Sequence, residues 1–506
     1  MNKRFPIYLL MGILFASVSF SCSDDDDNDT VMTDSLISST AVTAFSLEAD
    51  DEIMENLDTV FFTIDLKNAL IYNADSLPMG TKISGLKINM TYVACSSAQF
   101  HVTGGKTMSD TTFVYNSGDS IDFTGDVKFE IISQDMSAKR TYDIKVNVHK
   151  MKPDSLSWNK LARRDLPAYT TTPKSQKTVQ YDGKLYCLVN DGNSYVLSTT
   201  SHPGEEAWVK NRVNFAFKPK NETFTATENA LYILDENNAL YSSVDGMEWT
   251  PCGETWYSIL GSYDDRLLGV VKVGEDYLHT EYPMRATFTK TKVSSSFPVE
   301  GVSQMVTLNS KWAVGKQRII MGGVTTNGTY LCDTWGYDGD TWGKITRYSA
   351  TADVKDATLF AYTYTYFDAE TWTTYEYPAL YLIGGVMKDG KSLDNSVYIS
   401  TDNGMTWGQG NESLQLPEYI EAFANAQAFV YESTFEDARS SENSGWIEMP
   451  SQKMPAGYRY QSRATVAVTS WDCPYVYLFG GTAENGTLYN NIWRGVINRL
   501  TFKPLY

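Results

Sequence analysis

The residues best placed to do chemistry in this chain are aromatic and acidic. Trp372, Tyr375 and Tyr377 sit together in a segment, 363–378, that interrupts an otherwise regular pattern. Exposed rings of this kind stack on sugar faces, while carboxylates and amides hold the hydroxyls. These three are the candidate ligand contacts. Tyr362, Tyr364 and Tyr366 alternate just before them and so share one strand face. That face is expected to pack against a neighbouring sheet. Cleaving a glycosidic bond would need two carboxylates at a defined separation. The chain holds 61 acidic residues, and no spacing singles out a pair. No Gly-x-Ser-x-Gly, His-Glu-x-x-His or Gly-x-x-x-x-Gly-Lys-Thr segment occurs, so those hydrolase, zinc-protease and phosphate-loop chemistries find no support. His202 and His279 are far apart and are expected to be solvated. Cys95, Cys187, Cys252, Cys332 and Cys473 are widely spaced, odd in number and form no Cys-x-x-Cys pair. That excludes a disulfide framework or zinc site and predicts isolated buried thiols within strands. No catalytic residue, cofactor site or metal site is assigned.

The elements that must position these residues are repeats, which outrank other fold signals. Three apolar strands end in Gly-Gly, each followed about a dozen residues later by an aromatic. They are Arg318-Ile319-Ile320-Met321-Gly322-Gly323 with Trp335, Tyr381-Leu382-Ile383-Gly384-Gly385 with Tyr398, and Tyr477-Leu478-Phe479-Gly480-Gly481 with Trp493. A second signal is Ser400-Thr401-Asp402-Asn403-Gly404-Met405-Thr406-Trp407, with shorter forms at Asp338–Trp342 and Ser243–Trp249. Asp accepts turn amides, Gly takes positive φ, and Trp opens the next strand with a large area to bury. This predicts a hairpin between the third and fourth strands of a sheet, with Trp249, Trp342 and Trp407 in the core.

These repeats resemble kelch-type β-propeller blades and the Asp-box hairpin. The expected blades run at about 174–210, 222–255, 256–295, 303–345, 356–416 and 424–500. The last has no room for a fourth strand, and 156–161 is expected to supply it, closing the ring and removing exposed sheet edges. Two insertions, 363–378 and 432–474, fall between first and second strands. Sialidases share the Asp-box, but they need an arginine cluster and an Arg-Ile-Pro segment, and neither is visible here. The copper oxidase built on a kelch-like ring uses paired His and Tyr with a Cys-linked Tyr, which two isolated histidines do not supply.

Before the repeats, residues 35–150 read as strands. Tyr142, Ile144, Val146 and Val148 alternate with polar residues, and Val60–Ile64 and Val127–Ile132 are similar. Such a stretch predicts an immunoglobulin-like β-sandwich. Residues 151–155 follow as a linker, in which Pro153 ends the last strand. The whole fold is therefore expected to be all-β, with the propeller over 156–506.

The N-terminus carries Lys3 and Arg4, then an apolar core from Ile7 to Val18 that is short for a membrane span. Residues 1–21 read as a signal peptide. Ser19-Phe20-Ser21-Cys22 resembles a bacterial lipobox, which implies acylation of the Cys22 thiol and anchorage in outer-membrane lipid. Residues 22–34 include Asp24-Asp25-Asp26-Asp27, a run that cannot fold and makes a solvated tether. It also resembles the acidic export signal of Bacteroidota surface lipoproteins, which implies a location outside the cell. The layout of lipobox, tether, sandwich and propeller is similar to an uncharacterised family of Bacteroidota lipoproteins, especially at Trp471–Gly481 and Trp493–Leu500. Asp75-Ser76-Leu77 and Asp154-Ser155-Leu156 resemble the short O-glycosylation motif of that phylum.

The net charge of −19 excludes nucleic acid as a partner and disfavours docking on anionic lipid. The expected function is a surface-anchored, non-catalytic binding or scaffold module, with a glycan or protein ligand on the propeller face. The alternatives are a glycan hydrolase or lyase using carboxylates at the propeller mouth, and a structural subunit of an outer-membrane complex.

Overall fold

A computed structural model describes residues 36–74, 76–149, 155–204, 206–309, 315–368, 373–436 and 470–498. Among the described residues the fold is all-β, with helical geometry only in three-residue turns such as Leu57–Thr59. The alternation that begins at Tyr142 has a direct outcome: Tyr142, Ile144 and Val146 are buried along one face of Lys139–Lys145 and the residues just after it. That strand belongs to a six-stranded sheet, beside Asp126–Ser133 and Leu70–Tyr72. A three-stranded sheet of Val42–Leu47, Leu86–Tyr92 and Ser120–Ile121 shares its core. Phe45, Leu47 and Ile88 from the small sheet meet Phe100, Phe129 and Ile131 from the large one. One buried carboxylate stands at the rim of this core. Burial alone would push the Asp122 carboxyl up, but bonds from Thr107, Met108 and Thr124 outweigh it and hold it well below the usual range.

From residue 155 onward the described residues form six successive, mainly antiparallel sheets, with two short two-stranded pairs, Pro298–Glu300 with Val324–Thr325 and Val354–Lys355 with Val386–Met387, beside them. The first comprises Ser175–Tyr181, Lys184–Asn190, Tyr195–Thr200 and Val209–Val213. The second runs from Thr225–Ala226 to Thr250–Thr255 and the third from Ser258–Tyr263 to Asp276–Tyr282. The fourth runs from Val306–Asn309 to Trp342–Lys344 and the fifth from Thr358–Asp368 to Thr406–Gln409. The sixth comprises Gln427–Glu436, Ser470–Phe479 and Ile492–Asn498, with Ser155–Trp158 as its outer strand. Leu156 pairs with Ile497 and Trp158 with Gly495, as expected for 156–161. Two sheets differ from the four-strand expectation: the third has three strands, and the fifth has five, with Tyr348–Ser349 added parallel to Thr406–Gln409.

The second strand of each sheet explains the unbroken apolar runs in the sequence. Successive side chains point to opposite faces, and a different neighbouring sheet covers each face. Ile319 and Met321 pack toward Leu359 and Leu382 of the fifth sheet, while Ile320 packs toward Leu260 and Val270 of the third. Leu185, Cys187 and Val189 meet Tyr475, Tyr477 and Phe479 of the sixth sheet, while Leu188 meets Phe224 and Ile233 of the second. Each fully buried aliphatic or aromatic side chain contributes about 1.5–3 kcal/mol.

The Gly-Gly doublets end these second strands for a steric reason. Gly384 has φ +62° and Gly385 φ +105°, and a Cβ at Gly384 would lie 2.6 Å from the Phe423 carbonyl oxygen. The Gly385 amide donates to that same oxygen at 2.8 Å, and the Gly323 amide donates to the Val354 oxygen at 2.8 Å. In both cases the acceptor lies in the segment leading into the next sheet. At the sixth sheet the partner comes from the first: a Cβ at Gly480 would sit 2.7 Å from Gln176 Oε1.

The Asp-box is a hairpin between third and fourth strands, as its residues required. Asp402 Oδ1 accepts the Ser400 hydroxyl at 2.8 Å and the Thr406 amide at 2.9 Å, and the Gly404 amide donates to Ser400 Oγ at 2.9 Å. Trp407 is fully buried and donates from Nε1 to Thr334 Oγ1 at 2.8 Å. Trp249 and Trp342 are half-buried against neighbouring clusters.

Several expectations need correction. The insertions are not plain loops where they are described: Thr363 pairs with Pro378, Asp368 with Thr373, Glu432 with Pro474 and Glu436 with Ser470. They lengthen the inner hairpins of the fifth and sixth sheets. His279 is not a solvated loop residue: it lies in Asp276–Tyr282, edge-on to Phe297 at 4.6 Å, and burial pushes it down to about 4. Of the described thiols only Cys187 is buried; Cys95, Cys252 and Cys332 are half-buried, and Cys332 lies between strands. Ser155, in the second glycosylation-like tripeptide, is buried and accepts from Asn498 Nδ2 at 3.1 Å, so a glycan has no room there.

Gly384→Ala is expected to lower the unfolding free energy by about 2 kcal/mol or more, since it adds both a left-handed backbone penalty and a clash with Phe423. Gly390→Ala, also at positive φ but with nothing within 4 Å, should cost only about 1 kcal/mol. Urea denaturation of the two variants checks the difference; equal losses would remove the docking role of the doublet.

Candidate functional site

Each of the six sheets presents its first strand, or the segment leading into it, to one shared cavity of about 820 Å³. First strands sit innermost because the apolar second strands are covered on both faces and cannot be. The cavity is therefore lined by the part of each sheet that is free to be polar. Its walls carry the carboxylates of Asp182, Glu222, Glu228, Glu300 and Asp356, and the cations Lys177, Lys220 and Arg318.

Three lead-in segments step round one end of this cavity in the same conformation. Gly301, Asp356 and Asn425 have φ of 64°, 56° and 59°. The Asp356 amide donates to the Gly301 oxygen at 2.7 Å, and the Asn425 amide donates to the Asp356 oxygen at 2.7 Å. The bonds fix the Asp356 side chain at the cavity wall. Cross-wall bonds complete the lining. Gln176 Nε2 donates to Gln427 Oε1 at 2.7 Å. Gln304 reaches from the fourth sheet to the sixth, donating to the Ala428 oxygen at 2.7 Å and accepting its amide at 2.9 Å.

The electrostatics centre on Lys177. Burial pushes its ammonium down, against the pull of Asp356 and Glu222. Burial pushes the Asp356 carboxyl up; Lys355 and Lys177 oppose this, and Glu300 and Glu222 reinforce it. For both partners desolvation outweighs their mutual attraction, so each holds its charge less readily than in water. Tyr257 donates its hydroxyl to Glu300 Oε2 at 3.0 Å, and burial together with that carboxylate pushes the phenol up. On another part of the wall, Lys316 binds both Glu228 at 3.3 Å and Asp264 at 3.4 Å. Arg318 is buried enough to be pushed down, and its Nε has no hydrogen-bond partner. Such an enclosed set of shifted groups marks a functional site on physical grounds. It can hold hydroxyls, amides or an ammonium group.

With this geometry in view, comparison with known families is decisive for kinship. Residues 152–505 match the DUF6242 beta propeller domain, and residues 27–146 match the DUF6242 N-terminal domain, a domain of unknown function. The chain belongs to the DUF6242 family. No curated protein matches it. Among solved structures it is similar to the WD40 domain of Toxoplasma gondii coronin, at 11% identity and a TM-score of 0.31, covering 70% of this chain and 90% of that one. It is similar to BamB from Moraxella catarrhalis, at 12% identity and a TM-score of 0.22, covering 86% and 100%. PorZ of Porphyromonas gingivalis gives 11% identity and a TM-score of 0.19, covering 83% and 73%.

In this DUF6242 protein the residues singled out by sequence fall away from the central cavity or outside the description. Cys22 and Trp372 lie outside the described residues, as do the tether and most of the linker. Tyr375 and Tyr377 lie on the strand Thr373–Ile383, where their backbones pair with Tyr366 and Tyr364; the description does not extend to their side chains. Tyr362 is buried between the fifth and sixth sheets, in the packing role expected of it. Sequence reasoning missed Lys177, Glu222, Glu300 and Asp356. One signal could have found Asp356. It lies just before the first strand of its sheet, as Gly301 and Asn425 do, and all three are residue types that tolerate positive φ.

Among the described residues no helix is long and apolar enough to cross a membrane.

Lys177→Met should raise the titration midpoint of Asp356, because a cation that favours its ionised form is lost; Glu300→Gln should lower it, because a like charge is lost. Site-resolved carboxyl NMR titration reads both shifts. The raised Asp356 pKa means its burial cost is fully present above the folded value. That cost is relieved as pH falls toward about 3.9, where the unfolded carboxyl titrates. A midpoint that moves down in Lys177→Met would contradict the assigned pairing.

Proposed function

We propose that this DUF6242 protein is a surface-anchored lipoprotein whose propeller is a non-catalytic binding or scaffold module. The observation that carries this reading is the central cavity, about 820 Å³ and lined from all six sheets by polar side chains and main-chain groups. That size lies within the roughly 300–1,000 Å³ typical of ligand sites. Five carboxylates against three cations leave the wall net negative, which favours a neutral polyhydroxylated ligand or a basic peptide over an anion. A glycan or a protein segment fits that description. In this reading the six sheets form a closed, kelch-type six-bladed ring over 156–506, sealed by Ser155–Trp158. The 35–150 region is an immunoglobulin-like sandwich that acts as a spacer. Cys22 carries the lipid, residues 22–34 are the tether, 151–155 is the linker, and Trp372, Tyr375 and Tyr377 extend the ligand surface on the lengthened hairpin. The anchor places the protein at the outer membrane, facing outward.

One observation favours the enzymatic alternative, a glycan hydrolase or lyase: Asp356 is pushed toward its protonated form beside the carboxylate of Glu300. A carboxyl with a raised pKa is what the general acid of glycosidic cleavage requires.

The test is a glycan array together with affinity capture on the full mature chain. A glycan or protein bound by the native chain and lost in Glu300→Gln supports the binding module. Product release from a bound polysaccharide, abolished in Asp356→Asn, would replace it with the enzyme. Stable co-purification with outer-membrane proteins, unchanged in both variants, would instead indicate a structural subunit.

The anchor has a separate expected outcome. Cys22→Ser should abolish incorporation of labelled palmitate and move the protein from the membrane fraction to the soluble one. Retention of label in that variant would dismiss Cys22 as the lipid site.

A further inference from the structure

A second cavity, of about 660 Å³, lies where the early part of the chain meets the sixth sheet. Its walls come from residues 162 and 164–171, from residues 203, 204, 206–208 and 210 beside the last strand of the first sheet, and from Tyr477, Ile492 and Arg494 of the sixth. Its chemistry is opposite to that of the central cavity. Arg164, Lys210 and Arg494 supply three cations against the carboxylates of Asp165 and Glu206. Both acids are engaged elsewhere: Asp165 lies 3.3 Å from the guanidinium of Arg163, and Glu206 accepts the Ser201 amide at 3.3 Å. In a chain of net charge −19 this is a local reversal of sign, and a concave wall focuses its field.

The cations are held in place. Lys210 donates from Nζ to the Ala168 oxygen at 2.9 Å and sits 5.8 Å from the Tyr169 ring centre. The Tyr169 hydroxyl donates in turn to the Lys210 oxygen at 3.1 Å. Arg494 stacks over Tyr475 at 4.8 Å. Trp208 gives the apolar wall; it is half-buried and meets Phe479 edge-on at 6.0 Å. Gly204 has no room for a Cβ because the Tyr477 hydroxyl occupies that place. The glycine thus lets a hydrogen-bonding hydroxyl approach the loop.

We propose that this seam cavity binds an acidic sugar of the hexuronate class. The carboxylate would be held by Arg494, Arg164 and Lys210, with the ring laid on Trp208. A guanidinium offers paired donors that match a carboxylate, and an indole face suits a sugar ring. Among the described residues this wall carries more cations than carboxylates, which suits an anionic sugar, whereas inorganic phosphate would leave the Trp208 wall unused. A ligand here would also brace the first sheet against the sixth, so binding should raise thermal stability.

The test titrates the full mature chain with trigalacturonate, with a neutral galactose trisaccharide and with inorganic phosphate, by calorimetry and thermal unfolding. The expected result is that trigalacturonate binds and raises the melting temperature, while the neutral sugar and phosphate bind at least about tenfold more weakly. Trp208→Ala and Arg494→Gln should each weaken binding by about tenfold or more. If Arg494→Gln disturbs folding, Lys210→Gln at the exposed rim is the second variant, with the same expected direction. Lys177→Met, in the central cavity, should leave this binding unchanged, which separates failure here from failure of the central-site reading. No binding of trigalacturonate, equal affinity for the neutral sugar, comparable affinity for phosphate, or full binding in Trp208→Ala would overturn the proposal.

Discussion

The propeller region depends on one constraint: every second strand is apolar on both faces, so every sheet needs a neighbour on each side. Burying Ile320 toward the third sheet while Ile319 and Met321 face the fifth leaves neither face for water. The Gly-Gly doublets convert that need into a fixed spacing. At Gly323 and Gly385 an amide donates to the next sheet's lead-in, and at Gly322 and Gly384 the missing Cβ lets that lead-in approach. The same constraint governs the two ends of the series. Tyr475, Tyr477 and Phe479 would be bare if Leu185, Cys187 and Val189 of the first sheet did not cover them. Ser155–Trp158 completes the sixth sheet, and the amide of Asn498 reaches both Ser155 and Ser157 at its edge.

The site follows from what this packing excludes. Second strands are committed to the core and the Asp-box hairpins to the outer rim. The first strands and their lead-in segments are left to supply most of a common wall, joined there by Arg318 of one second strand. Lys177 is one of these wall residues. A half-buried ammonium costs desolvation, and the charges of Asp356 and Glu222 offset part of it. Replacing such a group with an apolar residue would often be as stable.

How much of this was legible in sequence tracks how local each feature is. The Asp-box at Ser400–Trp407 is bonded within itself, so its turn could be read from its own residues. The Gly-Gly strands were legible because two-sided burial writes an unbroken apolar run. The closing strand at Ser155–Trp158 was reachable by counting strands. The cavity was not legible, because Lys177, Glu222, Glu300 and Asp356 come from four separated segments, and none lies in a repeated motif. The hairpin extensions were less legible, because they interrupt the repeat and so stand out from it as insertions. The flanking runs Thr363–Tyr366 and Thr373–Tyr377 consist largely of strand-forming residues, and local propensity was the better guide.

The two cavities argue together about what a strongly acidic propeller can recognise. A uniform charge of one sign would repel every anion and attract every cation with little discrimination. Here the central wall carries more acids than cations, and the seam wall carries more cations than acids. Screening over about 8 Å at physiological ionic strength confines each field largely to its own walls. Selectivity between ligands of opposite charge then needs no movement of the fold. It follows from which side chains the six sheets place on the central wall and which they leave at the seam. The seam exists because the first and sixth sheets, each needing a neighbour, meet where the chain's early segment must pass over them.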